Sequence, residues 1–277
     1  YFSGAKRRVG YGLLSERRYF DKDLVTGHLT EQDDYSLLMT DNIDNPIDIN
    51  HEVEKKLYLL KYLGLNVESN KLELSINKDA NEKSKSWIKL NKKNIIINLG
   101  GSLRRKKYPV NKLVRALFQI YNDNTHFILI GDEEEIVESE YLSLNFNQEK
   151  ISYTNLVNKI NIKELIAVIN RSDLYLGNDS GAVHIAAAVN KPIIEYICES
   201  VEKTNNGMKE NMSLSAVTRF RPWSNQTIIL QPEKSLGNCK DIIVHGGCGH
   251  IEGHCITQIS VNDIVNAYNQ FIERRIL

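Results

Sequence analysis

No apolar run in the 277 residues approaches the ~20 that a helix needs to cross a bilayer. An excess of one charge is also missing: 35 basic residues face 35 acidic ones. A chain without net charge has no global field to gather nucleic acid or to hold it on an anionic membrane. Neither an internal repeat nor a low-complexity linker is present. No signal peptide is visible, but the chain opens on Tyr1 rather than methionine, so that absence carries no weight. The glycine turn at Gly100-Gly101 lacks the Gly-x-Gly-x-x-Gly spacing that a dinucleotide needs, which argues against a dehydrogenase. What the chain does have is 42% apolar residues, enough for one large or two ordinary cores.

The densest signal is Leu174-Tyr175-Leu176-Gly177-Asn178-Asp179-Ser180-Gly181-Ala182-Val183-His184-Ile185-Ala186-Ala187-Ala188. An apolar strand ends in a small polar turn, and a helix starts at once on small residues. The first N–H groups of such a helix have no intrahelical partner and lie at the positive end of its dipole, which makes an anion site. Gly181 lets a ligand approach the backbone, and the Ser180 hydroxyl can cap the helix or donate to a phosphate. His184, four residues after Ser180, shares its helix face. An ordinary capped junction would read the same way, so the pattern needs company.

Upstream, Ile95-Ile96-Ile97-Asn98-Leu99 reads as a buried strand entering the turn Gly100-Gly101-Ser102. Lys106-Lys107-Tyr108-Pro109 follows, then Asn111 to Tyr121 with helical spacing, then the strand His126 to Ile130 closed by Gly131 and the acidic run Asp132 to Glu135. Further strands are predicted over Ile151 to Thr154, Asp173 to Gly177, Pro192 to Ile197 and Thr227 to Leu230, with helices over Ile162 to Asn170 and Ala182 to Val189. A final helix runs from Val261 to Ile276, with Ser260 and Asp263 spaced as a capping box. Alternating strands and helices with short connections predict an α/β fold with a doubly wound parallel sheet. Its carboxyl edge gathers the glycine turn, the cations, the carboxylates and the helix start. Near the N-terminus Arg7 to Tyr11 reads as a strand, and Asn50 as the cap of a helix with Val53, Leu57 and Leu60 inside. Lys203 to Asn211 is polar and reads as a loop.

These segments resemble family 9 of the glycosyltransferases, the heptosyltransferase-like enzymes of bacterial surface glycan assembly. The family's second domain reads as a strand into a Gly-Ala/Ser turn, then Lys-x-Trp-Pro, then a strand ending in Gly with Glu shortly after. Asn-Asp-Ser/Thr-Gly-x-x-His-x-Ala-Ala-Ala follows, and a proline-led strand. This chain supplies Gly101-Ser102, Lys106 to Pro109, Gly131 with Glu134 or Glu135, Asn178 to Ala188, and Pro192. Tyr108 stands where the family has tryptophan and keeps an aromatic platform; Cys198 stands where a glycine commonly ends the proline-led strand. A side chain there would narrow the donor pocket or shift the sugar preference. Arg219 to Trp223 resembles a family segment near the donor site, with packing as an equal reading.

The resemblance implies a GT-B fold: residues 1–90 as the remainder of an N-terminal acceptor-side α/β domain, and 91–277 as a Rossmann-like domain that binds the nucleotide-sugar donor. The segment before Ile95 is about half of such a first domain, so the early strands and the family's acidic general base are expected outside this chain, and the catalytic residue is unknown. The implied reaction moves a sugar, first of all heptose from ADP-heptose, to a lipid-linked lipopolysaccharide-type acceptor. No cofactor is expected, and the setting would be the cytoplasm, with peripheral contact at the inner membrane face. The donor-binding set is Ser102, Lys106, Glu134, Asp179, Ser180, Gly181 and His184. Lys106 and the Ser180-Gly181 backbone would stabilise charge on the departing diphosphate, Ser102 would add a hydrogen bond in the turn, Glu134 would bind a ribose hydroxyl, Asp179 would orient the turn or bind a sugar hydroxyl, and His184 would donate to a phosphate. Plainer readings stand beside these: a solvated cation at Lys106, a solvated acidic loop at Glu134, a satisfied core histidine at His184. A nucleotide-sugar epimerase, or a nucleotide-binding module without catalysis, is the alternative for the whole. Cys198 reads as a buried small hydrophobe in a strand. Cys239, Cys248 and Cys255 lie among His245, His250 and His254, but no Cys-x-x-Cys pair is present and no metal is expected.

Overall fold

The computed structural model describes residues 5–11, 39–44, 46, 49–101, 103–202, 216–236 and 253–274. They divide into two units, one within residues 1–70, 202–221 and 235–249, the other within 71–201, 222–234 and 250–277.

In the first unit β1 (Val9–Tyr11) runs parallel to β2 (Asp41–Ile43), and Arg7 Nε reaches Asp41 at 2.9 Å. The helix α1 (Glu52–Tyr62) is capped by His51 and not by Asn50: His51 Nδ1 accepts from the Val53 N–H at 3.1 Å, and its Nε2 lies 2.9 Å from the Arg221 carbonyl. The one buried side chain of α1 is the charged Lys55, with Val53 and Leu57 half-buried. Arg219 bonds Glu52 through Nε at 2.9 Å and through its terminal nitrogen at 2.5 Å. Lys55 is buried beside Glu52, and the Tyr11 hydroxyl donates to the Lys55 carbonyl at 2.6 Å. Leu60, expected inside, is 40% exposed, because the Glu52–Arg219 pair turns the charged side of the helix inward.

The second unit starts earlier than residue 91. Its α2 (Lys78–Ser84) begins at Asn77, whose side chain accepts from the Ala80 N–H, and Leu72, Trp87 and Ile88 pack on the sheet core. That packing places residues 71–90 with the sheet. The sheet itself is six-stranded and parallel throughout, in the order β5-β4-β3-β6-β7-β8. Here β3 is Lys93–Asn98, β4 Thr125–Ile130, β5 Tyr153–Asn155, β6 Leu174–Asn178, β7 Ile193–Tyr196 and β8 Thr227–Leu230. The central strands read as continuous apolar runs because both of their faces are covered. On one face Ile95, Ile97, Phe127, Leu129, Leu176 and Tyr196 meet α3 (Val110–Ile120), α4 (Ile136–Gln148) and α7 (Val261–Glu273). On the other, Ile96, Ile128, Tyr175 and Ile193 meet Val168 and Ile169 of α5 (Ile162–Arg171) and Val183, Ala186 and Ala187 of α6 (Gly181–Ala188).

Ser260 caps α7 as expected, its Oγ accepting from the Asp263 N–H at 3.1 Å while Asp263 accepts from the Ser260 N–H at 2.7 Å. By contrast, α4 matches no element read from the sequence; the acidic run before it forms a 3-10 turn, Glu133–Glu135. The apolar residues of α4 form no single stripe: Leu142 and Phe146 are buried, while Val137 and Leu144 are 74% and 59% exposed. Strand β7 ends at Tyr196, so Cys198 lies just beyond it and is half-buried rather than inside a strand.

Gly177 marks the tightest point of the sheet. A Cβ there would come within 2.5 Å of Asn98 Cβ and 3.0 Å of the Asn98 carbonyl oxygen. Neither atom lies at the end of a flexible chain, so Gly177→Ala is expected to cost about 1–3 kcal/mol through overpacking. A lowered denaturant midpoint at unchanged slope is the expected result.

Candidate functional site

From β3 the chain steps outward through β4 to β5, then returns to the other side of β3 with β6 and steps away through β7 and β8. The connections leaving β3 and β6 therefore diverge, and a crevice opens between them at the carboxyl edge, the place where ligands bind in open α/β sheets.

Two buried asparagines shape this crevice. Asn178, the last residue of β6, accepts from the Tyr108 N–H at 2.8 Å and donates to the carbonyls of Leu99 at 2.9 Å and Gly100 at 3.3 Å. Asn98, the last residue of β3, accepts from the Gly100 N–H at 3.1 Å and donates to the Ser180 hydroxyl at 2.9 Å. Ser180 is the N-cap residue of α6 by position, in extended backbone, but its side chain makes no capping bond. The hydroxyl is held by Asn98, so the expected side-chain cap is absent. Gly181 is exposed, with nothing within 4 Å of where a Cβ would lie.

A 3-10 turn, Arg104–Lys106, brings Lys106 over this junction, where Nζ lies 2.7 Å from Asp179 Oδ2. Both side chains are about one-fifth exposed, so the pair is held out of bulk water while staying open at one end. The structure thus gathers Lys106, Asp179, Ser180 and Gly181 at one turn. His184 follows on α6 and is half-buried. Ser102 lies outside the described residues.

The acidic run forms a neighbouring group. Glu134 is 72% exposed, with Lys107 at 3.6 Å, whereas Glu135 is 1% exposed and bonded to Lys107. Glu135 also accepts from the Asp132 N–H at 2.9 Å and stands close under Gly131 and Gly100. Burial pushes the Glu135 carboxyl up, and Lys107 and the Asp132 amide oppose that shift. Of the two adjacent cations only Lys106 is left facing the α6 junction. Tyr108 provides no platform for a ligand: it is buried, its hydroxyl donates to the Ile259 carbonyl at 3.0 Å, and its ring centroid lies 4.9 Å from that of Tyr196. Arg219, in the segment left between two readings, serves the Glu52 pair of the first unit.

Cys255 is buried, with its sulfur 3.8 Å from His254 Nε2. Cys239, Cys248, His245 and His250 lie outside the described residues. Among the described residues no group of three or more His, Cys, Asp or Glu side chains is arranged to hold a metal ion, and no helix is long and apolar enough to cross a membrane.

A parallel sheet of this order is the Rossmann-like, doubly wound arrangement, and the chain has an α/β fold of the GT-B type. It superposes on E. coli ADP-heptose lipopolysaccharide heptosyltransferase II with a TM-score of 0.61 at 14% identity, covering 99% of this chain and 72% of that one. A family 9 glycosyl transferase from Veillonella parvula gives 0.65 at 18% identity, over 87% of this chain and 65% of that one. Residues 18–235 match the model of glycosyltransferase family 9 (heptosyltransferase), and the chain belongs to that family. It is 32% identical over 125 residues to lipopolysaccharide heptosyltransferase 1 of Campylobacter coli, and 28% identical over 148 residues to a lipopolysaccharide core heptosyltransferase of Haemophilus influenzae. Those stretches cover 44% and 52% of this chain, and only 36% and 41% of the two relatives.

Removing Lys107 would leave Glu135 as a buried carboxylate without its cation. Lys107→Met is expected to cost about 2 kcal/mol near neutral pH. Without the ammonium the folded-state pKa of Glu135 rises further. Its penalty is therefore absent in acid, where the carboxyl is protonated in both folded and unfolded chains, and grows as pH rises. Unfolding curves of variant and wild type should converge at low pH and separate towards neutrality.

Proposed function

We propose that this chain carries the donor side of a glycosyltransferase that moves heptose from an ADP-heptose-type nucleotide sugar to a lipopolysaccharide-type glycan. The observation that carries the reading is the Lys106–Asp179 pair, set at the start of α6 on the switch point of a parallel sheet. Family membership and the names of the relatives support the same reaction class.

The chemistry follows from where charge develops. As the glycosidic bond breaks, negative charge grows on the leaving diphosphate, and donors that bind this charge more strongly in the transition state lower the barrier. In the proposed complex a phosphate takes the place of the Asp179 carboxylate on Lys106 Nζ. Gly181 lets that phosphate reach the first N–H groups of α6. Asp179, released, turns to a sugar hydroxyl, and His184 donates to a second phosphate oxygen. Glu134, exposed beyond the end of β4, is the carboxylate for the ribose, and Ser102 adds a hydrogen bond. The base that activates the acceptor comes from the N-terminal side. The acceptor is lipid-linked and is met at the cytoplasmic face of the inner membrane.

Calorimetric titration with ADP, UDP and GDP tests this. ADP is expected to bind preferentially, and Lys106→Ala to weaken it about tenfold or more, the loss of one charge-assisted hydrogen bond to phosphate. Preference for UDP or GDP would keep the transferase and move the donor elsewhere. ADP binding that is indifferent to Lys106 would overturn the site.

A further inference from the structure

Behind the Lys106–Asp179 pair lies a carboxyl group that the donor chemistry does not use. Glu195 sits on β7 in register with Gly177 of β6, which in turn pairs with Asn98 of β3. Glu195 is fully buried, and neither of its carboxyl oxygens has a hydrogen-bond partner among the described residues. Among the described residues the groups around it offer no dedicated cation. From β6 come Tyr175, whose hydroxyl lies 3.2 Å from where a Gly177 Cβ would be, and Asp179 beyond the strand end. From the loop after β3 comes Lys106, already bonded to Asp179. On this face β8 contributes Thr227 and Ile229, α5 contributes Val168 and Ile169, and α6 carries His184 as its one titratable side chain. A carboxylate buried without donors or a counter-cation is strongly disfavoured, so the group keeps its proton. Burial is the main cause; Asp179 pushes the carboxyl further up, and Lys106 only opposes it.

We propose that Glu195 is a positioning residue for the donor phosphates: its uncharged carboxyl leaves the β6–α6 turn free to take the negative charge of a nucleoside diphosphate, and loss of its proton to solvent sets a like charge behind the turn and drives the ligand off. This rests on the donor-site reading above. A bound diphosphate and an ionised Glu195 repel each other, so by linkage the diphosphate holds the proton on Glu195. Binding by the ionised population therefore takes up one proton from the buffer for each diphosphate bound.

Two measurements test it. The first needs no nucleotide. Below the ordinary carboxyl range folded and unfolded chains both hold the proton; above it the unfolded chain releases its proton first, so stability falls as pH rises towards the folded-state value. The stability of Glu195→Gln relative to wild type should therefore rise with pH across a series from about pH 5 to about pH 9. A constant difference overturns the inference. The second is ADP titration above roughly pH 7.5, where the ADP phosphates are fully ionised, in buffers of different ionisation enthalpy. Wild type is expected to lose affinity with rising pH and to take up protons on binding. Glu195→Gln should bind ADP with flat affinity, about tenfold tighter than wild type at the alkaline end. Equal pH dependence in both proteins, or wild-type binding with no proton uptake at any pH, overturns the role of Glu195 and leaves the donor site standing. Absence of ADP binding by wild type at every pH overturns the donor site, and the inference with it.

Discussion

A loop that holds a cation over the start of a helix must be anchored by something other than that cation, and here the anchors are the side-chain amides of Asn98 and Asn178. Each closes a strand, and each has to give and accept at once. Asn178 takes the Tyr108 N–H and offers its own hydrogens to Leu99 and Gly100; Asn98 takes the Gly100 N–H and offers its hydrogens to Gly100 and Ser180. A carboxylate of the same size could only accept, leaving buried carbonyls without donors at the penalty that unmet buried polar groups carry. With both ends of the loop tied, Lys106 arrives beside Asp179 and Lys107 is sent to Glu135. The different fate of two adjacent lysines thus depends on side-chain-to-backbone hydrogen bonds at the two ends of the loop.

Much of this was legible. The apolar runs of β3, β4 and β6, the Asn178–Ala188 junction and the Ser260–Asp263 box each carry a local reason that tertiary packing then respects. Other features were not. A helix such as α4, with Val137 and Leu144 facing water, has no stripe to read, and α2 is too short to show one. The choice between Asn50 and His51 as cap depended on Arg221, far along the chain. Tyr108 reads as an available aromatic until Tyr196 is seen beneath it. Glu135 differs from Glu134 in which side of one turn it occupies, and only the Lys107 contact tells them apart. Asn98 and Glu195 were invisible as site residues because strand alternation says which face they occupy and nothing about what lies across Gly177.

The first unit shows the same dependence on distant partners at a smaller scale. Helix α1 holds Lys55 and Glu52 inward only because Arg219, in the short helix Ala216–Phe220, comes back from more than 160 residues later to pair with Glu52. Burial, the largest influence on that carboxyl, raises its pKa, and yet Arg219, Lys55 and Lys56 together hold it below the ordinary range. The unit is built from separate stretches of chain, so its integrity is tied to segments on both sides of the sheet sequence.

The strand order also sets a timetable. Asn98 finds Ser180 across 82 residues of chain, and Asn178 reaches back 79 to Leu99. Contacts of that span close large loops, whose entropy must be met before any of the bonding is gained, and they slow folding accordingly. While the polypeptide is still emerging from the ribosome, β3 and β4 can already lie side by side. The crevice at the carboxyl edge has no existence until β6 slides in next to β3. A nascent chain stalled before residue 178 would therefore hold several finished strands and helices and still lack this crevice, which reports the pairing of β6 with β3 and no earlier step.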